Sequence, residues 1–267
     1  MKQRDTIVVA GLGEVGKPLL ELASQFHKTL GVDLDPPRHP PQHVDVLHVC
    51  YPFRIADFVG ETARYIELFK PGLTIINSTV DVGTTRAIAE RTRAAVVNSP
   101  VRGKHARMLE DLRAYVKFIG PMDGASGQKA ASHFQSLGLK TKVLPSPEAT
   151  ELAKLTETTY FGLLIAWAQE VERYCDRFHQ HYDDIASFWE EIKYLPRVPY
   201  FPGIIGGHCV MPNIEILTQT DPSPILKAIQ DSNQKKMERE SAKERKRSTV
   251  ADQKEPGKRQ QLAPLPL

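Results

Sequence analysis

TIVVAGLGEVG, residues 6–16, is the stretch on which the fold turns. Residues 6–10 form an apolar, β-branched run that ends in glycine, the pattern of a strand buried on both faces of a parallel sheet. Residues 17–26 follow with apolar side chains at helical spacing: Leu19, Leu20, Leu22, Ala23 and Phe26. Between strand and helix the spacing is G-x-G-x-x-G. Gly11 permits a tight turn, Gly13 lets a pyrophosphate approach the backbone, and Gly16 lets the helix pack closely on the strand. With Leu12, Glu14 and Val15 they form a loop that offers amide donors and a helix N-terminus to an anion. Asp33 ends the next apolar run, where an acid meets the ribose hydroxyls of a dinucleotide and repels a 2′-phosphate. The cofactor expected is therefore NAD rather than NADP. Arg38, close behind, offers a cation to a phosphate and works against that preference.

Further strands are predicted over residues 30–33, 44–50, 73–77, 95–98, 115–119 and 141–144, with helices over 55–69, 84–94 and 127–137. This alternation gives an α/β fold, a Rossmann-type doubly wound parallel sheet covered on both faces. From 147 to about 179 the pattern is one long helix, with Leu152, Leu155, Thr159, Leu163, Ala166, Glu170 and Tyr174 on one face. Residues 160–168 are apolar on nearly every side, so that stretch is expected to be buried all round. Such burial asks for a second domain or a second subunit, and Trp167 and Tyr174 read as packing or dimer-interface groups. A helix over 183–191 and a Pro/Gly-rich loop over 194–207 leading to His208 and Cys209 follow, and residues 214–219 and 224–232 complete the ordered part. Three regions are expected: a dinucleotide-binding domain (1–146), an all-α dimerisation domain (147–232) and a basic, largely disordered tail (233–267).

Composition sets the class. Hydrophobic residues make up 41% and charged residues 25% of 267 residues, with a net charge of +3, values of a water-soluble folded chain. Lys235, Lys236, Arg239, Lys243, Arg245, Lys246 and Arg247 crowd the tail, but glutamates are interleaved. A solvated end is expected there, not a nucleic-acid site. Cys50, Cys175 and Cys209 are far apart, so neither a disulfide framework nor a zinc site is expected. His39 and His43 read as solvated loop residues, and no metal is expected. The N-terminus lacks the pattern of a signal peptide and no apolar run reaches a membrane span, so the chain is expected to be cytoplasmic.

Several segments resemble one family, the UDP-glucose/GDP-mannose 6-dehydrogenases. They are GLGEVGKPLLELA, HVCYP, NSTVDVGTTR, NSPVRGKHARMLEDLRAYVKFIG, ATELAKLTETTYFGLLIAWAQEVERYC and PGIIGGHCVMPN, in that order. The resemblance implies oxidation of a sugar primary alcohol to a carboxylate with two NAD. It places Tyr51, Pro52, Ser78 and Thr79 beside the cofactor. It makes Cys209 the nucleophile that forms a thiohemiacetal and then a thioester, Lys154 the oxyanion-stabilising or proton-carrying lysine, and Thr79 the holder of the attacking water. The pattern also departs from the family. Thr158 stands where the family has asparagine, Asn213 where it has an acid, and Val101 and His105 where it has glutamates. His105 and His208 are left as candidate proton carriers. The family's second, sugar-nucleotide-binding domain is expected to be missing. Three readings follow: an NAD-dependent oxidoreductase of small alcohols or aldehydes, a non-catalytic NAD-binding dimer, and a β-hydroxyacid dehydrogenase-like enzyme.

Overall fold

Thr6–Ala10 forms β1 and Gly16–Ser24 forms α1, as the opening stretch demands. The computed structural model describes residues 4–33, 37, 39–190, 192–193, 201–206, 209–220 and 222–252, without the side chains of 105, 190 and 246–252. After α1 come β2 (Lys28–Val32), β3 (Val46–Val49), α2 (Phe58–Phe69), β4 (Leu73–Ile76), α3 (Thr84–Thr92) and β5 (Val96–Asn98). Then follow α4 (Met108–Ala114), β6 (Lys117–Pro121), α5 (Gly124–Ser136) and β7 (Thr141–Val143). Among the described residues four helices follow: α6 (Pro147–Phe178), α7 (Tyr182–Glu190), α8 (Val210–Thr220) and α9 (Pro224–Asp252).

The strands form one seven-stranded sheet in the order β2-β1-β3-β4-β5-β6-β7. Its strands are apolar on both faces because both faces are covered. One cluster (Ile7, Val9, Leu19, Leu22, Leu112, Ile119, Phe134) packs α1, α4 and α5 against the sheet. The opposite cluster (Val8, Ala10, Leu47, Val49, Tyr65, Phe69, Ile88) packs α2 and α3. Each of these buried aliphatic side chains contributes about 1.5–3 kcal/mol relative to exposure.

The sheet is not wholly parallel. β6 runs antiparallel to β5, with Val97 opposite Pro121 and Asn98 opposite Gly120. The connecting helix α4 was not foreseen, and β6 begins at Lys117 instead of Tyr115. The connection from β5 to β6 runs through α4, which packs Met108 and Leu112 into the cluster shared with α1, and the next strand starts at the end of the sheet where β5 stopped.

By compactness the chain divides into residues 1–159 with 212–222, and residues 160–211 with 223–267. The first unit takes in the start of α6. In the first turns of α6, Leu155 is fully buried, and Glu151 accepts the backbone N–H groups of Gly83 and Thr85 at the start of α3.

The second unit corrects two expectations. Residues 160–168 of α6 are not buried all round: Ala166 and Ala168 are, but Tyr160 and Trp167 are more than half exposed. Nor is the stretch after 232 a solvated tail. It continues α9, where Lys236 is buried and its Nζ donates to both Glu172 oxygens at 2.7 and 3.0 Å. Arg239 pairs with Asp176 as well. The charge run carries the partners of acids on α6, a long-range pairing that composition does not show. Residues 253–267 lie outside the described ones.

Candidate functional site

The sheet changes winding direction between β1 and β3, where β1 is followed outward by β2 and the chain then crosses to β3. In open α/β sheets ligands bind outside the carboxyl ends of the strands at this switch point. The loop Gly11–Gly16 leaves β1 here, and Tyr51 leaves β3. Gly11 has φ +89°, and a Cβ on it would lie 2.5 Å from the Tyr51 backbone nitrogen. A Cβ on Gly16 would lie 1.7 Å from the Gly11 carbonyl oxygen. Around Gly13 a Cβ would meet nothing within 4 Å, so the loop is packed below and open above. Asp33, exposed at the end of β2, accepts the Leu12 N–H at 3.2 Å and thus stands beside the loop. A cradle of this shape, with an acid at its side, fits a dinucleotide pyrophosphate and its ribose.

Ser78, just after β4, donates its hydroxyl to the Tyr51 carbonyl at 2.6 Å, and the Tyr51 hydroxyl bonds Thr62 on α2 at 2.6 Å. Burial pushes the Tyr51 phenol well above its ordinary range, so it stays protonated. Thr79 is half-buried beside Ser78, and Pro52 is exposed. The loop residues, Asp33, Tyr51, Pro52, Ser78 and Thr79 thus all stand at or just beyond the carboxyl ends of β1 to β4. Arg38 lies outside the described residues.

Lys154, half-buried on α6, lines a cavity of ≈ 160 Å³ with Pro100, Arg102, Phe118 and Leu144. Its Nζ lies 3.2 Å from Glu157. Thr158 and Asn213, which stand at two departures from the family pattern, meet directly. Asn213 Nδ2 donates to Thr158 Oγ1 at 2.8 Å, and the Thr158 hydroxyl in turn reaches the Lys154 and Leu155 carbonyls. Both are buried, so the pair is neutral and internally satisfied.

Cys209 belongs to the second unit and is half-buried. His208 and the side chain of His105 lie outside the described residues. The loop that leads toward Cys209 is held by residues the sequence did not single out. Asn233 on α9 grips Ile205 through both backbone groups, donating to its carbonyl at 3.0 Å and accepting its N–H at 2.7 Å. Gln169 on α6 donates to the Gly203 carbonyl at 2.7 Å. Asn233→Ala leaves a buried N–H and a buried carbonyl without partners, at about 1–3 kcal/mol. Urea unfolding of the variant is expected to show a loss of that size; an unchanged midpoint would mean that Asn233 does not hold the loop.

Lys117 was missed as well. It lies buried at the start of β6, and its Nζ donates to the Ser99 carbonyl at 2.5 Å and to Asn77 Oδ1 at 3.2 Å. The signal was present: a lone lysine in the otherwise apolar run YVKFIG.

A glycine-loop α/β sheet continued by a long helix defines a Rossmann-type α/β architecture. Residues 148–235 match the model of the UDP-glucose/GDP-mannose dehydrogenase family, central domain. A UDP-N-acetyl-D-mannosamine dehydrogenase of Methanocaldococcus jannaschii is 26% identical over 76% of this chain. The chain spans 59% of that relative's length. Among solved structures, the UDP-D-ManNAc dehydrogenase of Pyrococcus horikoshii superposes with a TM-score of 0.75 at 17% identity, over 86% of this chain and 68% of the other. The UDP-glucose dehydrogenase of Pyrobaculum islandicum gives 0.73 at 20% identity, over 87% and 68%. Among the described residues no helix is long and apolar enough to cross a membrane.

Proposed function

We propose that this chain is an NAD-dependent oxidoreductase of the nucleotide-sugar dehydrogenase type, acting on a small-molecule alcohol or aldehyde, either a sugar nucleotide or a smaller one. The observation that carries the reading is the Gly11–Gly16 cradle, closed below, open at Gly13 and flanked by Asp33, at the switch point of the sheet. NAD, when bound, supplies the hydride acceptor for both oxidations. The residues that hold it are the loop amides at its pyrophosphate and Asp33 at its ribose. Cys209 as thiolate adds to the aldehyde carbon, and the thioester formed after the second oxidation is released by water. Lys154 offsets the charge that develops on the substrate oxygen. Thr79 holds the water.

Thr158 and Asn213 have no acid to offer, so Cys209 and Lys154 carry the proton and charge work with less help than the family pattern provides. This slows hydrolysis of the thioester, and the same neutral pair favours, as the second reading, an NAD-binding protein without turnover. Cys209→Ser is expected to bind NADH as the parent does and to form no NADH from UDP-N-acetyl-D-mannosamine or UDP-glucose. Turnover unaltered by the substitution removes Cys209 from the reading. A parent that binds NADH but turns over neither sugar favours the second reading.

The apolar side chains that α6 leaves exposed, Tyr160, Phe161, Leu163 and Trp167, are those a second copy would cover, and a homodimer through this helix is part of the proposal. Sedimentation at micromolar concentration is expected to give twice the chain mass, and a monomer there contradicts it. The three thiols suit a reducing, cytoplasmic setting.

A further inference from the structure

Pro100, Arg102, Phe118, Leu144, Lys154 and Glu157 stand around a cavity of ≈ 160 Å³, all of them in the first compact unit. Of these the proposed oxidation uses Lys154 and gives Arg102 no role. A cavity of about 150 Å³ holds a molecule the size of benzene, so this one takes a ligand of about six to eight heavy atoms. Most of its wall is apolar. Thr150 also borders it but spends its hydroxyl hydrogen on the Pro147 carbonyl at 2.9 Å. The polar groups left to meet a ligand are two cations, Arg102 and Lys154, and one acid, Glu157.

Arg102 is half-buried and held in one attitude. Its guanidinium carbon lies 4.7 Å from the centre of the Phe118 ring and 5.5 Å from that of Tyr115, and its Nη2 donates to the Val116 carbonyl at 3.0 Å. Ring contacts occupy the face of a guanidinium and leave its edge, a planar fork of N–H donors that matches a carboxylate. Among the described residues no carboxylate pairs with Arg102. Lys154 lies 3.2 Å from Glu157, but that acid is 54% exposed, and a pair with so exposed a partner contributes little. Lys142 adds a positive charge 5.8 Å from the centre of the Phe118 ring. Lys117, next to Phe118 in the chain, registers the same field: burial lowers its pKa, and the charges of Lys154 and Arg102 lower it further against the opposing effect of Cys50. Positive charge around the cavity thus exceeds negative.

We propose that this cavity binds the carboxylate of a small organic acid. The Arg102 fork takes the acid group, Lys154 supplies the second charge, and the apolar wall takes the carbon end. The binding stands apart from the oxidoreductase reading. Its purpose rests on that reading, in which Lys154 meets the substrate oxygen and the reaction ends in a carboxylate product.

The experiment is calorimetric titration of the full chain at neutral pH with lactate and malonate, and with lactamide and malonamide, uncharged amides of nearly the same shape. The acids are expected to bind saturably at millimolar concentration, and the amides at least about tenfold more weakly. Arg102→Gln is expected to weaken malonate binding at least about tenfold, and Glu157→Gln, which removes the competing acid, to tighten it about two- to fivefold. Lys129→Gln, at an exposed position on α5, is expected to leave it unchanged. Glu157 is more than half exposed and the acid–amide comparison needs no variant, so the test holds should Arg102→Gln not fold. Equal affinity for acid and amide, equal affinity in parent and Arg102→Gln, or no saturable binding of either acid overturns the site. With sugar-nucleotide turnover, malonate is expected to inhibit the parent more strongly than Arg102→Gln. A parent without turnover counts against the oxidoreductase reading alone, and the calorimetry still decides the site.

Discussion

Gly16→Ala is expected to lose dinucleotide binding and melt at a lower temperature, whereas Gly13→Ala loses binding alone. The two positions lie three residues apart in one loop, and their surroundings set the contrast. A methyl on Gly16 falls 1.7 Å from the Gly11 carbonyl oxygen and 3.3 Å from the Cys50 Cβ. The first of these neighbours is backbone and cannot rotate away, so α1 must shift relative to β1. Overpacking of this kind costs about 1–3 kcal/mol, which for a domain of this size lowers the melting temperature by about 2–12 °C. Gly11 in turn is held by its N–H to the Val32 carbonyl at 2.8 Å, so displacing it disturbs β2 and Asp33 as well. At Gly13 a Cβ meets no protein atom within 4 Å. Its methyl projects into the open space where the proposed cradle takes the pyrophosphate, and is expected to weaken binding at least about tenfold, or about 1.4 kcal/mol. Fluorescence titration with NADH and scanning calorimetry on both variants read the two effects separately. Parent-like NADH affinity in Gly13→Ala would remove the loop as pyrophosphate cradle; a parent-like melting temperature in Gly16→Ala would remove the packing account.

That loop was legible because everything that shapes it is local: a β-branched run, three glycines and an amphipathic helix within residues 6–26. Asp33 was legible for a related reason, since its position depends only on the length of one helix and one strand. What escaped depends on partners distant in sequence. The reversal of β6 comes after α4, whose apolar residues, Met108 and Leu112, were hidden among charges in HARMLEDLRAY. Asn233 has meaning only through Ile205, and Lys236 only through Glu172. The long helix failed in the opposite sense. Its composition around 160–168 is apolar on every side, yet Tyr160 and Trp167 stand more than half exposed. At Thr158 and Asn213 the departures from the family pattern were visible; that the two substituted side chains bond each other was not.

Lys117→Met is expected to flatten the rise of stability with pH above neutrality. The parent buries this ammonium at the start of β6, over the Phe134 ring at 5.1 Å. Burial pushes its pKa down from 10.5 to about 7, with Lys154 and Arg102 adding to the shift and Cys50 opposing it. Below about pH 7 the folded and unfolded chains both hold the proton, and folding bears the whole cost of burying the charge. Between about 7 and 10.5 the folded lysine is neutral while the unfolded one is still protonated, so unfolding takes up a proton. Stability therefore rises with pH across that window, by at most about 1.4 kcal/mol per unit. Methionine keeps the apolar stem and its contact with Phe134, and it removes the titration. It leaves the Ser99 carbonyl and Asn77 Oδ1 short of a donor, a loss of about 1–3 kcal/mol that does not vary with pH. The variant is thus favoured near neutrality and below, where the buried charge costs most, and the parent gains on it as pH rises. Urea unfolding of both proteins from about pH 6.5 to about pH 9.5 measures the difference, in which titrations common to the two cancel. A parent-minus-variant difference that is constant across this range would show that Lys117 is not a buried, depressed lysine; one that falls with pH would reverse the sign of the argument.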